Sequence, residues 1–334
     1  MRHTSYASVL ARKGFAGRRI RKVTLNGGFT CPNLDGTKGR GGCTFCDNRA
    51  FSPVAGSRGI PIAEQLRSGI AFHRDRSRVD GFIAYFQPFS GTYAPVERLE
   101  SLYRQALAHP DVVGLSIGTR PDCVDAKVAD LLARLSAETF LTLELGLQSA
   151  HDASLRRINR GHGFAEFVQA MELCSGRGFD LCVHLILGLP GEGPDQFRAT
   201  AEALRPWRFE SVKIHPLHAV RGTALGADYM AGAWSPLGSD DYVAGLADVL
   251  ERIPANVGVQ RLSGDAPPGM LLAPLWCRDK DALRAALETE LMRRGTWQGF
   301  ALGESSPEAA AEAATDPGLG KPERPERGYA FAPA

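Results

Sequence analysis

Short apolar runs of four to eight residues alternate with longer stretches of helical period, and this alternation constrains the fold more than any other feature of the chain. The runs lie at 20–25, 82–86, 112–117, 140–145, 180–187 and 211–215. The stretches between them, at about 61–74, 96–109, 124–137, 165–176 and 195–204, predict helices. Strands separated by helices of this length form parallel βαβ units, because a parallel partner is reached only by a crossover. Six such units are too few to close a barrel of eight strands. The expected fold class is therefore α/β, a partial (β/α)6 TIM-type barrel with a small C-terminal appendage. With 44% of its 334 residues hydrophobic and 23% charged, the chain has the composition of an ordinary globular protein. No stretch approaches the roughly 20 apolar residues of a membrane span. The basic N-terminus leads into no apolar signal core. A cytoplasmic location with no membrane partner is expected.

The chain divides on composition into a basic leader (1–19), the barrel (20–222), a C-terminal α/β extension (223–302) and a tail (303–334). In the extension a helix is expected over 240–252, a strand over 257–262, a turn at 264–268 and a last helix over 280–294. The tail is rich in Ala, Pro, Glu and Gly and is expected to be disordered. Residues 1–34 carry Arg2, Arg12, Lys13, Arg18, Arg19, Arg21 and Lys22 and no acid. Such a run is either a phosphate-binding patch, with contacts from Arg12 to Lys22, or a solvated, partly disordered leader.

The residues just after the strands are polar and Gly-rich: Gln-Pro-Phe-Ser-Gly-Thr-Tyr at 87–93, Gly-Thr-Arg-Pro-Asp at 118–122, Gly-Leu-Gln-Ser at 146–149, Gly-Leu-Pro-Gly-Glu at 188–192 and His-Pro-Leu-His at 215–218. Barrel enzymes place their sites at this end of the strands. After the first strand comes a Gly-rich loop with Cys31, Cys43 and Cys46, spaced C-x11-C-x2-C. Zinc usually takes four protein ligands at short spacings, and only three cysteines gather here. Three thiolates can instead hold three corners of an iron–sulfur cluster and leave one iron open. A closed zinc site with a distant fourth ligand is the structural alternative.

In order along the chain, Asn-Gly-Gly-Phe-Thr-Cys-Pro-Asn-Leu-Asp-Gly-Thr, Gly-Gly-Cys-Thr-Phe-Cys, Tyr-Phe-Gln, Thr-Arg-Pro-Asp, Glu-Leu-Gly-Leu-Gln-Ser, Asn-Arg-Gly-His, Leu-Gly-Leu-Pro-Gly-Glu and Val-Lys-Ile-His-Pro-Leu-His cover roughly residues 20–300. On these motifs the chain resembles the radical S-adenosylmethionine (SAM) enzymes of the YhcC-like subgroup, related to the radical domain of the Elongator catalytic subunit. The longer first gap departs from the superfamily's commoner C-x3-C-x2-C and fits this subgroup. The resemblance implies two cofactors, a 4Fe–4S cluster and SAM. It implies reductive cleavage of SAM to a 5′-deoxyadenosyl radical that takes a hydrogen atom from substrate. The cofactors carry that step; the protein orients and shields it.

The resemblance also suggests roles for individual residues. Cys31, Cys43 and Cys46 ligate the cluster. Phe45 shields it near the adenine, or merely packs the loop. Ser90 and Thr92 lie in the turn that meets the methionine amino group in relatives. Glu144 is expected near the ribose hydroxyls, since a carboxylate can accept two hydrogen bonds. Gln148 follows at the strand mouth. Arg160 resembles an arginine that pairs with the methionine carboxylate, the alternative being a surface arginine beside Arg156 and Arg157. Gly188, in Leu-Gly-Leu-Pro-Gly-Glu, is expected against the adenine. Lys213, His215 and Cys277 are the catalytic candidates. His184, Lys213 and His215 share the parity of one strand face. Arg120 and Asp122 are expected to pair, with Asp122 capping the helix near Val124. Cys123 and Cys277 lie near marked loops and are most simply inert; Cys174 and Cys182 read as core.

The function this implies is a radical SAM enzyme acting on a tRNA wobble uridine side chain. There is no room after residue 300 for the acetyltransferase domain of the Elongator relative, so acetyl transfer is not expected. The alternatives are a radical SAM enzyme acting on a small metabolite, like a porphyrinogen oxidase, and a non-catalytic metal-binding module. A reducing electron donor such as flavodoxin or ferredoxin is the expected partner beside tRNA or a small-molecule substrate.

Overall fold

The computed structural model describes residues 1–264 and 266–307. Its strands are β1 (Ile20–Leu25), β2 (Gly81–Phe86), β3 (Val112–Thr119), β4 (Phe140–Gln148), β5 (Asp180–Leu187), β6 (Ser211–Pro216), β7 (Ala219–Val220), β8 (Gly258–Arg261) and β9 (Leu271–Ala273). Seven of them form one parallel sheet in the order β1-β2-β3-β4-β5-β6-β8. The sheet curls into an open half-barrel, which is the expected fold class. It has one strand more than the six counted. The run expected as part of the C-terminal extension pairs in parallel with β6, Ser211 opposite Gly258. A separate antiparallel pair, β7 with β9, was not foreseen.

The alternation along each strand sorts the side chains into two layers. Val23, Leu25, Phe82, Ala84, Phe86, Leu115, Ile117 and Leu143 join the helices in the main core. These are the outer-facing residues, and helices such as Ile62–Arg74 and Val96–Leu107 cover them. The alternate residues, Lys22, Tyr85, Ser116, Glu144, His184 and Lys213, point into the half-barrel and meet one another there. Parallel strands are usually apolar on both faces. Here the inner face is polar because it lines a cavity.

The basic leader is folded. A short helix, Tyr6–Leu10, lies on β8, and Val259 N donates to Thr4 O at 2.8 Å. Phe15 packs with Ile83, Val113 and Phe140, and Lys13 pairs with Asp180 at 2.5 Å. Arg12 donates to Asn256 O at 2.6 Å and Arg18 to Asp80 O at 2.8 Å. The leader therefore plugs the N-terminal end of the strands, and Lys22 is turned inward, away from any surface phosphate. Of the expected tail, 308–334 lies outside the described residues.

Close approach of the leader rests on Gly258. A Cβ there would sit 2.3 Å from Val9 Cγ2 and 3.3 Å from Tyr6 Cα. Gly258→Ala is expected to destabilise the protein by about 1–3 kcal/mol through overpacking. Val9→Ala in the same chain should recover much of that loss. Urea denaturation of the two variants tests this; wild-type stability in Gly258→Ala would show that the helix is not clamped to β8.

Candidate active site

The eleven residues between Cys31 and Cys43 form a tight hairpin, which is how so long a gap still brings the two thiols together. Cys31 O accepts from Leu34 N at 2.8 Å, and Asp35 bridges Arg40 in antiparallel fashion. Gly36, Gly41 and Gly42 have φ of +93°, +80° and +74°, a conformation that glycine adopts without steric cost. Asn33 and Asn159 tie the hairpin down: Asn33 Nδ2 donates to Asn159 O at 2.5 Å and Asn159 Nδ2 to Gly42 O at 2.8 Å. Cys46 then follows in a turn closed by its own N–H to Cys43 O at 3.0 Å.

Cys31, Cys43 and Cys46 line one cavity of about 250 Å³ at the C-terminal end of the strands. Two buried arginines face two of the thiols. Arg160 Nη1 lies 3.6 Å from Cys43 Sγ, and Arg120 Nη1 lies 4.0 Å from Cys31 Sγ. Among the described residues no three His, Cys, Asp or Glu side chains are gathered tightly enough to hold a single metal ion. A cluster is larger than one ion, and three thiols spread around a cavity with guanidinium groups behind them suit its size and negative charge. The residues present therefore fit a 4Fe–4S cluster. Arg160 Nε is buried and meets no acceptor among the described residues, so it offers a free donor beside the thiols.

Of the expected cofactor-binding residues, Phe45, Ser90, Glu144, Gln148 and Arg160 line this cavity, as do the catalytic candidates Lys213 and His215. Thr92, Gly188 and Cys277 do not. Thr92 Oγ1 is engaged at 2.6 Å with both Thr119 Oγ1 and Cys123 O. Gly188 has φ +87° and packs against Leu237, whose Cγ would lie 2.9 Å from a Cβ. Cys277 is fully buried among Val220, Leu271 and Ala50, with its Sγ 3.0 Å from Pro274 O. Cys174 is core, whereas Cys182, though buried, faces the half-barrel interior at the level of Glu144. Arg120 pairs with Asp122 at 2.9 Å, as expected from sequence. The helix cap is Asp125, which accepts from Val128 N at 2.8 Å, not Asp122. Asp122 is occupied by Arg120 and Lys38.

Gly146 lets Arg160 reach the sheet. Arg160 Nη2 donates to Gly146 O at 2.6 Å, and a Cβ on Gly146 would stand 2.8 Å from that nitrogen. Gln148, at φ +78°, follows a register shift in β4. A non-glycine residue in this region is uncommon, and such strain gathers at functional sites.

Below the thiols lies a buried charge cluster. Glu144 is 0% exposed and its two oxygens accept from five side chains. Lys22 and Ser116 reach Oε1 at 2.5 and 2.7 Å. Tyr85, Lys213 and His184 reach Oε2 at 2.6, 2.5 and 3.0 Å. The ribose role expected of Glu144 thus meets a carboxylate already saturated by internal donors. Burial opposes its charge, but the Lys213 and Lys22 ammoniums prevail and hold its pKa well below the usual range. Burial lowers Lys213 to about 8 and His184 to about 4, so His184 is a neutral donor to the carboxylate. Burial, with Arg261 nearby, likewise keeps His215 neutral. Both ammoniums also lie over the Tyr85 ring, 4.8 and 4.6 Å from its centroid. Lys22 and Tyr85 were missed in the sequence. Lys22 was hidden in a basic run, and only strand parity sets it apart from Arg21.

The Radical SAM superfamily model matches residues 36–204 and the Radical_SAM C-terminal domain model matches 209–293. Protein YhcC of Escherichia coli (strain K12) is 41% identical over 290 residues, which is 86% of this chain and 92% of that protein. The tRNA uridine(34) acetyltransferase of Dehalococcoides mccartyi is 29% identical over 181 residues, 53% of this chain and 39% of that protein. Among solved structures, archaeal Elp3 of Methanocaldococcus infernus superposes with a TM-score of 0.66 at 17% identity, over 84% of this chain and 64% of that one. The fold is shared at that distance. Among the described residues no helix is long and apolar enough to cross a membrane. The chain belongs to the radical SAM superfamily, whose enzymes use a 4Fe–4S cluster, SAM and a reductant.

Proposed function

We propose that this enzyme holds its 4Fe–4S cluster on Cys31, Cys43 and Cys46, cleaves SAM there with an electron from a flavodoxin or ferredoxin, and acts on the side chain of a tRNA wobble uridine. The observation that carries the reading is the convergence of the three thiols on a cavity whose floor is the Glu144–Lys213 cluster. Bound together, cluster and SAM supply one-electron chemistry that removes a hydrogen atom from substrate.

The chain's own residues do the rest. Arg120 and Arg160 offset the charge of the thiolates. Arg160 Nε offers a donor to the methionine carboxylate, and Phe45 walls the cavity on one side with Ile186 and Leu217. Lys213 sits 6% exposed at the cavity floor, where burial lowers its pKa to about 8. It is suited to move a proton to or from a substrate held above it. The support for tRNA is the likeness to the uridine(34) enzyme.

The test has two parts. Anaerobic enzyme with dithionite is expected to release 5′-deoxyadenosine from SAM slowly without substrate. Nucleoside mass spectrometry of tRNA from a deletion strain should show loss of a modification at the wobble uridine. An unchanged tRNA profile alongside active SAM cleavage would favour a small metabolite instead.

A further inference from the structure

The three thiols differ in their surroundings. Cys43 is buried, Cys46 is exposed and Cys31 lies between. Two side chains bring N–H groups to Cys43 Sγ: Arg160 Nη1 at 3.6 Å and Asn33 Nδ2 at 3.8 Å. Cys31 Sγ has Arg120 Nη1 at 4.0 Å. Among the described residues no side-chain donor reaches Cys46 Sγ. The guanidinium groups have other tasks, Arg160 at Gly146 O and Arg120 at Asp122 and Arg160 O. Asn33 is a neutral donor at the same sulfur as Arg160.

Asn33 is 0% exposed, and its amide has one possible orientation. Nδ2 donates to Asn159 O at 2.5 Å, and a reversed amide would set two oxygens against each other there. An NH2 group carries two hydrogens. One serves Asn159 O, and the other is left for Cys43 Sγ. The amide oxygen Oδ1 is buried and accepts no hydrogen bond among the described residues. Gly39 and Gly161 leave it room, because a Cβ on either would collide with it, at 2.7 Å for Gly161. A side chain that only fastened the hairpin would be expected to pair both ends, since an unmet buried acceptor is costly. Asn33 gives up its acceptor and keeps its donors, one of them beside a thiol.

We propose that Asn33 sets the reduction potential of the cluster by donating its second amide hydrogen to Cys43 Sγ. The inference rests on reading Cys31, Cys43 and Cys46 as the cluster ligands. Reduction adds one electron from the external reductant and breaks no bond. The reduced cluster carries one more negative charge, which its thiolate sulfurs share. A donor held at a buried sulfur therefore favours the reduced form and raises the potential.

The test uses the full chain, reconstituted anaerobically and without SAM, with dithionite as reductant. The first readout is the midpoint potential, followed by EPR of the reduced cluster. Asn33→Leu is close in size and has no donor. It is expected to make reduction about tenfold less favourable, a downward shift of about 59 mV for one electron. Asn159→Gly controls for a merely structural role. Glycine keeps the left-handed backbone at φ +51° and loses the tether to Gly42 O, so the same hairpin is loosened while Asn33 Nδ2 keeps both acceptors. That variant should lose thermal stability and hold its potential. The second readout leaves Asn33 in place. Protein labelled with a magnetic nitrogen isotope in its asparagine side chains should show a weak nitrogen hyperfine coupling to the reduced cluster by pulsed EPR. Asn48→Asp serves as the background, because Asn48 also lines the cavity. Absence of that coupling, an unchanged or raised potential in Asn33→Leu with full iron, or an equal shift in Asn159→Gly would overturn the proposal. If Asn33→Leu takes up no cluster, the coupling decides. A wild-type chain that takes up no iron removes the ligand reading and this inference with it. A full cluster indifferent to Asn33 removes the inference alone.

Discussion

Cys31→Ala, Cys43→Ala and Cys46→Ala are each expected to lose most of the about four irons and four sulfides that the wild-type chain takes up under anaerobic reconstitution. The three thiols line one cavity, and under the proposed ligation each is the protein's whole contribution to one corner of the cluster. With one removed, two corners must hold a cluster whose other two irons face solvent. Arg160 beside Cys43 and Arg120 beside Cys31 also lose the anion they were placed to meet. Iron and sulfide assays with visible absorption read the effect without any turnover. Cys174→Ala supplies the control, because that thiol is buried in the main core with Phe167 and Met171. Full iron in Cys31→Ala, or stoichiometric zinc in the wild type, would remove the ligand assignment.

The half-barrel was legible because each parallel strand carries its own register mark. In Leu143-Glu144-Leu145-Gly146-Leu147-Gln148 the leucines go to the helices and the polar or small residues go inside. The same parity put His184, Lys213 and His215 on one strand face, and that face lines the cavity. Two features escaped for reasons that are also physical. The seventh strand is four residues long, Gly258–Arg261, and its place beside β6 is fixed by tertiary contact rather than by any pattern of its own. The leader's burial depends on Phe15 and Val9, two apolar residues in a basic stretch with no period to announce them.

The site divides along the same line. The thiols were legible because their spacing is local. The partners of Glu144 were not, because they come from β1, β2, β3, β5 and β6 and meet only when the sheet curls. A lone glutamate in an apolar strand looks like a ligand contact. With five donors around it, it is first of all the counter-ion of two lysines, Lys213 buried and Lys22 half-buried.

That role sets a large effect for Glu144→Gln. The change leaves the Lys22 and Lys213 ammoniums facing each other across the Tyr85 ring without their shared anion. Breaking a buried pair on one side typically costs roughly 3–5 kcal/mol, and a loss of that size is expected at neutral pH by urea denaturation. The pH dependence has a definite sign. Glu144 has a depressed folded pKa, so its contribution is present above the unfolded value of 4.5 and fades as pH falls through the lower folded value. Lys213 is also depressed, to about 8 from 10.5, so between those values the unfolded chain binds more protons and stability from this group rises with pH. Without Glu144 the favourable charge is gone, and Lys213 sheds its proton at still lower pH. The variant should therefore regain part of its loss as pH is raised from neutrality, while the wild type changes less. Glu144→Leu combined with Lys213→Met should be less damaged than Glu144→Leu alone, because removing both charges spares the desolvation of one. A loss below about 1 kcal/mol in Glu144→Gln, the size of an exposed pair, would mean that the two lysines find water in place of the carboxylate.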